Sequence, residues 1–155
     1  MSAPQPWHVA LRARSYAVLW LTRRDDLRVV YQSSAASGVD MLVTVLRDGH
    51  FSSRQFGVVL AARRTGSAAP RLDAKMIAHE RATYSEATFP ICMLAFSSNS
   101  ENGWFRWIVE PLPCGDDAGL ELSSRIHFEP TTDELLLDRV IDEVNRWYDA
   151  RSSTA

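Results

Sequence analysis

The sequence predicts a single α/β domain, a mixed and twisted β-sheet flanked by helices, over residues 1–150 with a frayed tail at 151–155. Three observations carry this expectation. Residues 40–46 and 56–62 are almost wholly apolar or β-branched and end at turn residues, as strands covered on both faces do. A third such run, residues 91–96, follows Pro90. Near the C-terminus, Leu136, Leu137, Val140, Ile141, Val144, Trp147 and Tyr148 recur at three- and four-residue intervals, the spacing of a helix that packs one face on a sheet.

The elements follow in order. Residues 6–21 read as a helix with Trp7, Leu11, Val18 and Leu21 on its apolar stripe and Arg12 and Arg14 off it. Residues 27–31 form a short strand. The Asp48-Gly49 pair between the two apolar runs marks a tight turn, so 40–46 and 56–62 form an antiparallel hairpin. Alternation along the second run puts Gly57, Val59 and Ala61 on one face and Phe56, Val58 and Leu60 on the other. Residues 63–71, with Gly66, Ser67 and Pro70, read as a loop. A polar helix spans 72–87, and 97–103 is a turn into a strand at 104–109 that sets Phe105 and Trp107 on one face. Thr131-Thr132-Asp133-Glu134 has capping-box spacing, which predicts that Thr131 starts the last helix, with Asp138, Asp142, Glu143 and Arg146 turned to water.

Composition narrows the function. At 155 residues, 46% hydrophobic and 23% charged, the chain can bury a core, which excludes a disordered or fibrous class. No apolar run is long enough to span a bilayer, and residues 1–7 lack the pattern of a secretory leader, so the expectation is a cytoplasmic protein with no membrane partner. Cys92 and Cys114 form neither a zinc pattern nor a disulfide framework; one reads as a core thiol and one as an exposed thiol. His8, His50, His79 and His127 lie on four different elements without ligand spacing, and His79 with Glu80 reads as a solvent-facing helical pair. The charge is uneven, +5 over residues 1–64 and −7 over residues 65–155. An Arg-rich first half suits an acidic partner or nucleic acid, but with no aromatic interleaving or glycine-lysine motif beside it the solvated face of a helix and its exit is the preferred reading.

Ser37-Gly38-Val39-Asp40 opens one strand of the hairpin and Gln55-Phe56-Gly57-Val58-Val59-Leu60-Ala61-Ala62 forms the other. This pairing resembles the PD-(D/E)XK nuclease-like superfamily, most closely the bacterial domain-of-unknown-function family 4365, with Gly-x-Asp on one strand and Phe-x-Val-Gln-x-Lys on the next. The resemblance covers roughly the first two thirds of the chain. It implies a restriction-endonuclease-like core in which the Asp and the Gln help to hold a divalent metal and the Lys positions or activates water. Here Asp40 alone matches; Val59 stands at the Gln position and Ala61 at the Lys position. The single lysine is Lys75 and the first glutamate is Glu80, both downstream, and Arg63 and Arg64 stay protonated and cannot act as a base.

The resemblance therefore implies a pseudoenzyme: no catalytic residues, no metal, no cofactor, and Asp40 as a vestigial ligand or as an acceptor for local backbone amides. Its expected role is a protein-binding or scaffold module, in bacterial defence, toxin immunity or secretion. A second reading is a non-cleaving nucleic-acid-binding protein that uses Arg23, Arg24, Arg28, Arg63 and Arg64. A third is a metal-dependent nuclease whose site has migrated, with Asp40, another acid and Arg63. The alignment predicts Val59 and Ala61 beside Asp40.

Overall fold

The computed structural model describes residues 7–31, 38–50, 52–63, 68–112, 119–125 and 127–152. Among them the order is α1 (Trp7–Leu21), β1 (Leu27–Tyr31), β2 (Met41–Val45), β3 (Gln55–Arg63), α2 (Ala74–Tyr84), β4 (Ile91–Ser97), β5 (Gly103–Leu112), β6 (Gly119–Leu122), β7 (Glu129–Pro130) and α3 (Leu136–Ser152). The strands make one sheet in the order β1-β2-β3-β4-β5-β6, with β7 paired to β5. Every pairing is antiparallel except β3 with β4, which the crossover through α2 makes parallel. The chain is a single α/β domain with a mixed sheet.

The strand runs become strands for the reason the sequence offers. Asp48 and Gly49 both take positive φ, 53° and 74°, and Arg47 and His50 exchange two backbone bonds of 2.9 Å across them, so β2 and β3 pair as a hairpin. On one face of the sheet, Met41, Val43, Val45, Phe56, Val58, Leu94, Phe105 and Trp107 form the main core with α1 and α3. Phe105 and Trp107 stack edge to face at 5.4 Å. On the other face, Val39, Ile91, Ile108 and Val109 form a smaller cluster with Tyr84 of α2.

Several expectations change register. In α1 the buried positions are Val9, Ala13, Ala17, Trp20 and Leu21. Trp7 and Leu11 are instead 76% and 49% exposed. Ala13 and Ala17 present almost no side chain, so the helix can sit closest to the sheet along that line, and packing overrides the larger residues. Helix α2 is shorter than expected, because the Asp73 carboxylate accepts the Met76 amide at 2.8 Å and sets its start. Thr131 does not cap α3. It is buried and its hydroxyl both accepts from the Gly103 amide at 2.8 Å and donates to the Gly103 carbonyl at 3.2 Å. Asp133 serves the helix start, accepting the Leu135 amide at 3.0 Å. Strands β6 and β7 carry no sequence pattern strong enough to announce them; pairing with β5 makes them.

Candidate functional site

Gly38 brings the chain into β2 with φ +70°, and an added Cβ there would meet Thr83 Cγ2 and Tyr84 Cε1 at 3.1 Å each. Tyr84 donates its hydroxyl to the Gly38 carbonyl at 2.6 Å, pinning this entry to α2. Burial, reinforced by the Asp40 charge, pushes the Tyr84 phenol up. The next residues decide which face each side chain takes. Met41 is the register partner of Val58, and the Asp40 amide also reaches the Val58 carbonyl at 2.9 Å. Two consecutive residues thus address one partner and the strict alternation breaks.

Val39 consequently packs on the Gly57 face, where a Cβ on Gly57 would meet Val39 Cγ1 at 2.9 Å, and Val59 belongs to the cluster on that side. Asp40 falls on the other side. It lines an open cleft of about 520 Å³ between α1 and the sheet, together with Trp7, Leu11, Arg14, Met41, Leu60 and Ala62. Val59 and Ala61 therefore do not stand beside Asp40, contrary to the alignment; the β3 side chains that share its cleft are Leu60 and Ala62. Both are apolar.

Asp40 itself is already engaged. Its Oδ2 accepts the Leu60 amide at 2.7 Å, in the place where β2 has turned away and left a β3 donor without a strand partner. The amide is cross-strand rather than local in sequence, twenty residues away. The expectation of an acceptor for a backbone amide thus holds in kind but not in the partner. Asp40 is the one acid among the described residues lining the cleft, and no group of three or more metal-ligating side chains occurs among the described residues. A divalent cation does not fit this donor set: Mg²⁺ takes near-octahedral oxygen coordination, and the cleft offers one carboxylate with one oxygen committed.

The candidate arginines fall in two places, Arg23, Arg24 and Arg28 after α1 and on β1, and Arg63 at the far end of β3. Arg24 donates to Asp26 at 2.9 and 2.7 Å and to Asp138 at 2.5 Å, tying the exit of α1 to α3. The hydrogen bonds to Asp26 raise its guanidinium further above its ordinary value. Arg23 and Arg28 are exposed. Arg28 is level with Thr44 of β2 and hence with Gln55 of β3. Arg63, eight residues further along β3, is roughly 26 Å away along the strand and donates to the Ala68 carbonyl at 2.6 Å. Arg64 lies outside the described residues. Arg12 donates to the Ser98 carbonyl at 2.7 Å and Arg14 stacks 3.4 Å over the Tyr31 ring.

Two acids read as solvent-facing are not. Glu80, 7% exposed, forms an ion pair with the 3% exposed Arg106 of β5, Nη1 to Oε1 at 2.5 Å, while His79 beside it is exposed. Glu143 is half-buried and accepts the Trp107 indole N–H at 2.7 Å. Neither contact has a sequence signal, because each joins residues 26 or 36 positions apart. Cys92 is fully buried and burial pushes its thiol up, so it offers no thiolate nucleophile; Cys114 lies outside the described residues.

Burial pushes the Glu143 carboxyl above its ordinary 4.5, although the Trp107 N–H and Arg125 pull it down. The folded protein then holds this proton more tightly than the unfolded chain. Its contribution to stability is present at pH below about 4.5 and is lost as pH rises through the raised value. Glu143→Gln keeps an acceptor for Trp107 without a charge to desolvate. Its melting temperature relative to the parent is expected to climb between pH 4 and pH 7 by differential scanning calorimetry; a relative stability that falls over that range contradicts this account.

In comparisons with known proteins, no family model, no curated protein and no solved structure matches the chain. No helix among the described residues is long and apolar enough to cross a membrane.

Proposed function

We propose that this chain is a degenerate PD-(D/E)XK nuclease-like domain, related to family 4365, that acts as a non-enzymatic protein-binding or scaffold module. The observation that carries the reading is the cleft beside Asp40: Trp7, Leu11, Met41, Leu60 and Ala62 line it where a metal-dependent nuclease needs converging metal ligands. The mixed sheet between helix layers supports the nuclease-like core. The exposed Trp7 and Leu11 at the mouth of the same cleft support a protein partner, since aromatic anchors in apolar pockets dominate such interfaces. Bacterial defence, toxin immunity or secretion is the proposed setting, and the cytoplasm the proposed location; a toxin, nuclease or secretion gene beside this one would support it.

The test is a cleavage assay on DNA and RNA with Mg²⁺ or Mn²⁺. No metal-dependent product is expected, and Asp40→Ala is expected to leave any background unchanged. Cleavage that requires Asp40 would instead favour the migrated-site nuclease.

Nucleic-acid binding without cleavage is the second reading, and the separation of Arg28 from Arg63 speaks against it. Affinity for duplex or single strands at about 0.15 M salt is expected to be no tighter than about 10⁻⁴ to 10⁻⁶ M. The Arg23→Ala/Arg28→Ala pair, which spares the Arg24 tie, is expected to change it little in fluorescence anisotropy. Submicromolar binding that depends on these arginines and weakens steeply with salt would make nucleic acid the partner.

A further inference from the structure

The parallel strands β3 and β4 end side by side, Arg63 level with Ser97, and these ends open onto a cavity of about 230 Å³. The carboxyl ends of parallel strands are where open α/β sheets take their ligands. Trp104 is level with Ala95, two residues before Ser97, so strand alternation sets Arg63, Ser97 and Trp104 on one face of the sheet. Ser100, Asn102 and Thr132 complete the polar wall of the cavity, and no acid lines it among the described residues. Ser97 is 5% exposed, yet its hydroxyl makes no hydrogen bond among the described residues. Polar groups at such depth are ordinarily paired. Because Arg106 Nε is the one sealed side-chain atom without a partner among the described residues, the Ser97 Oγ stays within reach from the cavity. Arg63 commits Nη1 to the Ala68 carbonyl at 2.6 Å and leaves Nε and Nη2, the edge that grips an oxyanion at two points, without a protein partner among the described residues.

From this constellation we infer that the cavity is a binding site for a small sugar phosphate. A guanidinium edge with hydroxyl and amide donors around it, and no carboxylate against it, suits an anion. A phosphate monoester brings three acceptor oxygens, enough to meet both Arg63 and the Ser97 hydroxyl, where a carboxylate brings two. Trp104 is half-buried on the same wall and gives a sugar ring an apolar surface to lie against, while the Asn102 amide can both donate to and accept from its hydroxyls. The cavity is smaller than the roughly 300–1,000 Å³ of pockets for drug-sized molecules, which fits a ligand of this size. This site lies on the sheet face opposite the cleft beside Asp40 and stands independently of the nuclease-like reading.

The experiment is thermal unfolding of the full chain titrated with D-ribose 5-phosphate, D-ribose, inorganic phosphate and a thymidine dinucleotide at matched ionic strength. Ribose 5-phosphate is expected to raise Tm saturably, by about 3–6 °C at roughly ten times its Kd. The other three, which lack the phosphate, the sugar or the monoester, are expected to do less at equal concentration. Arg63→Gln keeps most of the side-chain length and deletes the charge, and is expected to weaken ribose 5-phosphate about tenfold or more in calorimetric titration. Thr132→Trp, at the exposed rim, should block the cavity without touching Arg63 or Ser97. No shift with ribose 5-phosphate, a shift of equal size with any of the other three ligands, or a shift that survives in both variants overturns the proposal.

Discussion

Arg106→Met is expected to lower the unfolding free energy by about 3–5 kcal/mol, a large fraction of what a domain of this size has. The cause is the partner it leaves behind. Glu80 is 7% exposed and its carboxylate meets Arg106 between α2 and β5. Without the guanidinium it remains in a site that water hardly reaches, with its ion-pair partner gone. The double variant Glu80→Met/Arg106→Met removes both charges and fills the space with apolar side chains. Buried pairs replaced as a unit lose little, so it is expected to be more stable than Arg106→Met alone. Urea unfolding of the two singles and the double measures this. A double variant as unstable as the sum of the singles would mean that the pair contributes packing rather than charge compensation.

Trp147→Ala is the second large effect, an expected loss of about 3–5 kcal/mol. Trp147 is 1% exposed on the inner face of α3, its ring meets that of Tyr148 edge to face at 4.7 Å, and the Arg151 guanidinium lies 4.5 Å over it. Its indole N–H also donates to the Gly119 carbonyl at 2.9 Å, holding the start of β6 to the helix. Truncation therefore opens a cavity and frees an edge strand at once. Trp147→Phe keeps a six-membered ring in the core but loses the pyrrole ring and its donor, and is expected to cost less than Ala. Hydrogen exchange separates the two contributions: the β6 amides should lose protection in both variants, whereas β3 and β4 amides should follow only the global loss in Ala.

The main elements were legible before any tertiary structure because their signals are local. The Asp48-Gly49 turn forces two positive φ angles and so fixes a hairpin, and the three- and four-residue recurrence from Leu136 to Trp147 is met by burial of the same residues. Cys92 reads as a core thiol and is one. The candidate site was legible only in its chemistry. Asp40 is the acid of its cleft and the β3 residues beside it are apolar, but they are Leu60 and Ala62, because the Asp40 amide shares the Val58 carbonyl with the β2 register and turns the side chain to the α1 face. A one-residue irregularity inverts which face a strand residue takes, and no composition or spacing reports it.

By itself the sequence determined the α/β class, the hairpin, the amphipathic last helix and the shortage of carboxylates and lysine in the first half. All of these depend on residue type and on neighbours a few positions away. Tertiary structure alone decided that Ala13 and Ala17 rather than Trp7 and Leu11 seat α1, that Thr131 serves β5 rather than α3, that Glu80 meets Arg106, and that Arg28 and Arg63 lie at opposite ends of the sheet. Each of those outcomes depends on how closely two backbones approach and on which polar group is left to satisfy once they have. Such quantities belong to pairs of residues far apart in the chain and have no local trace.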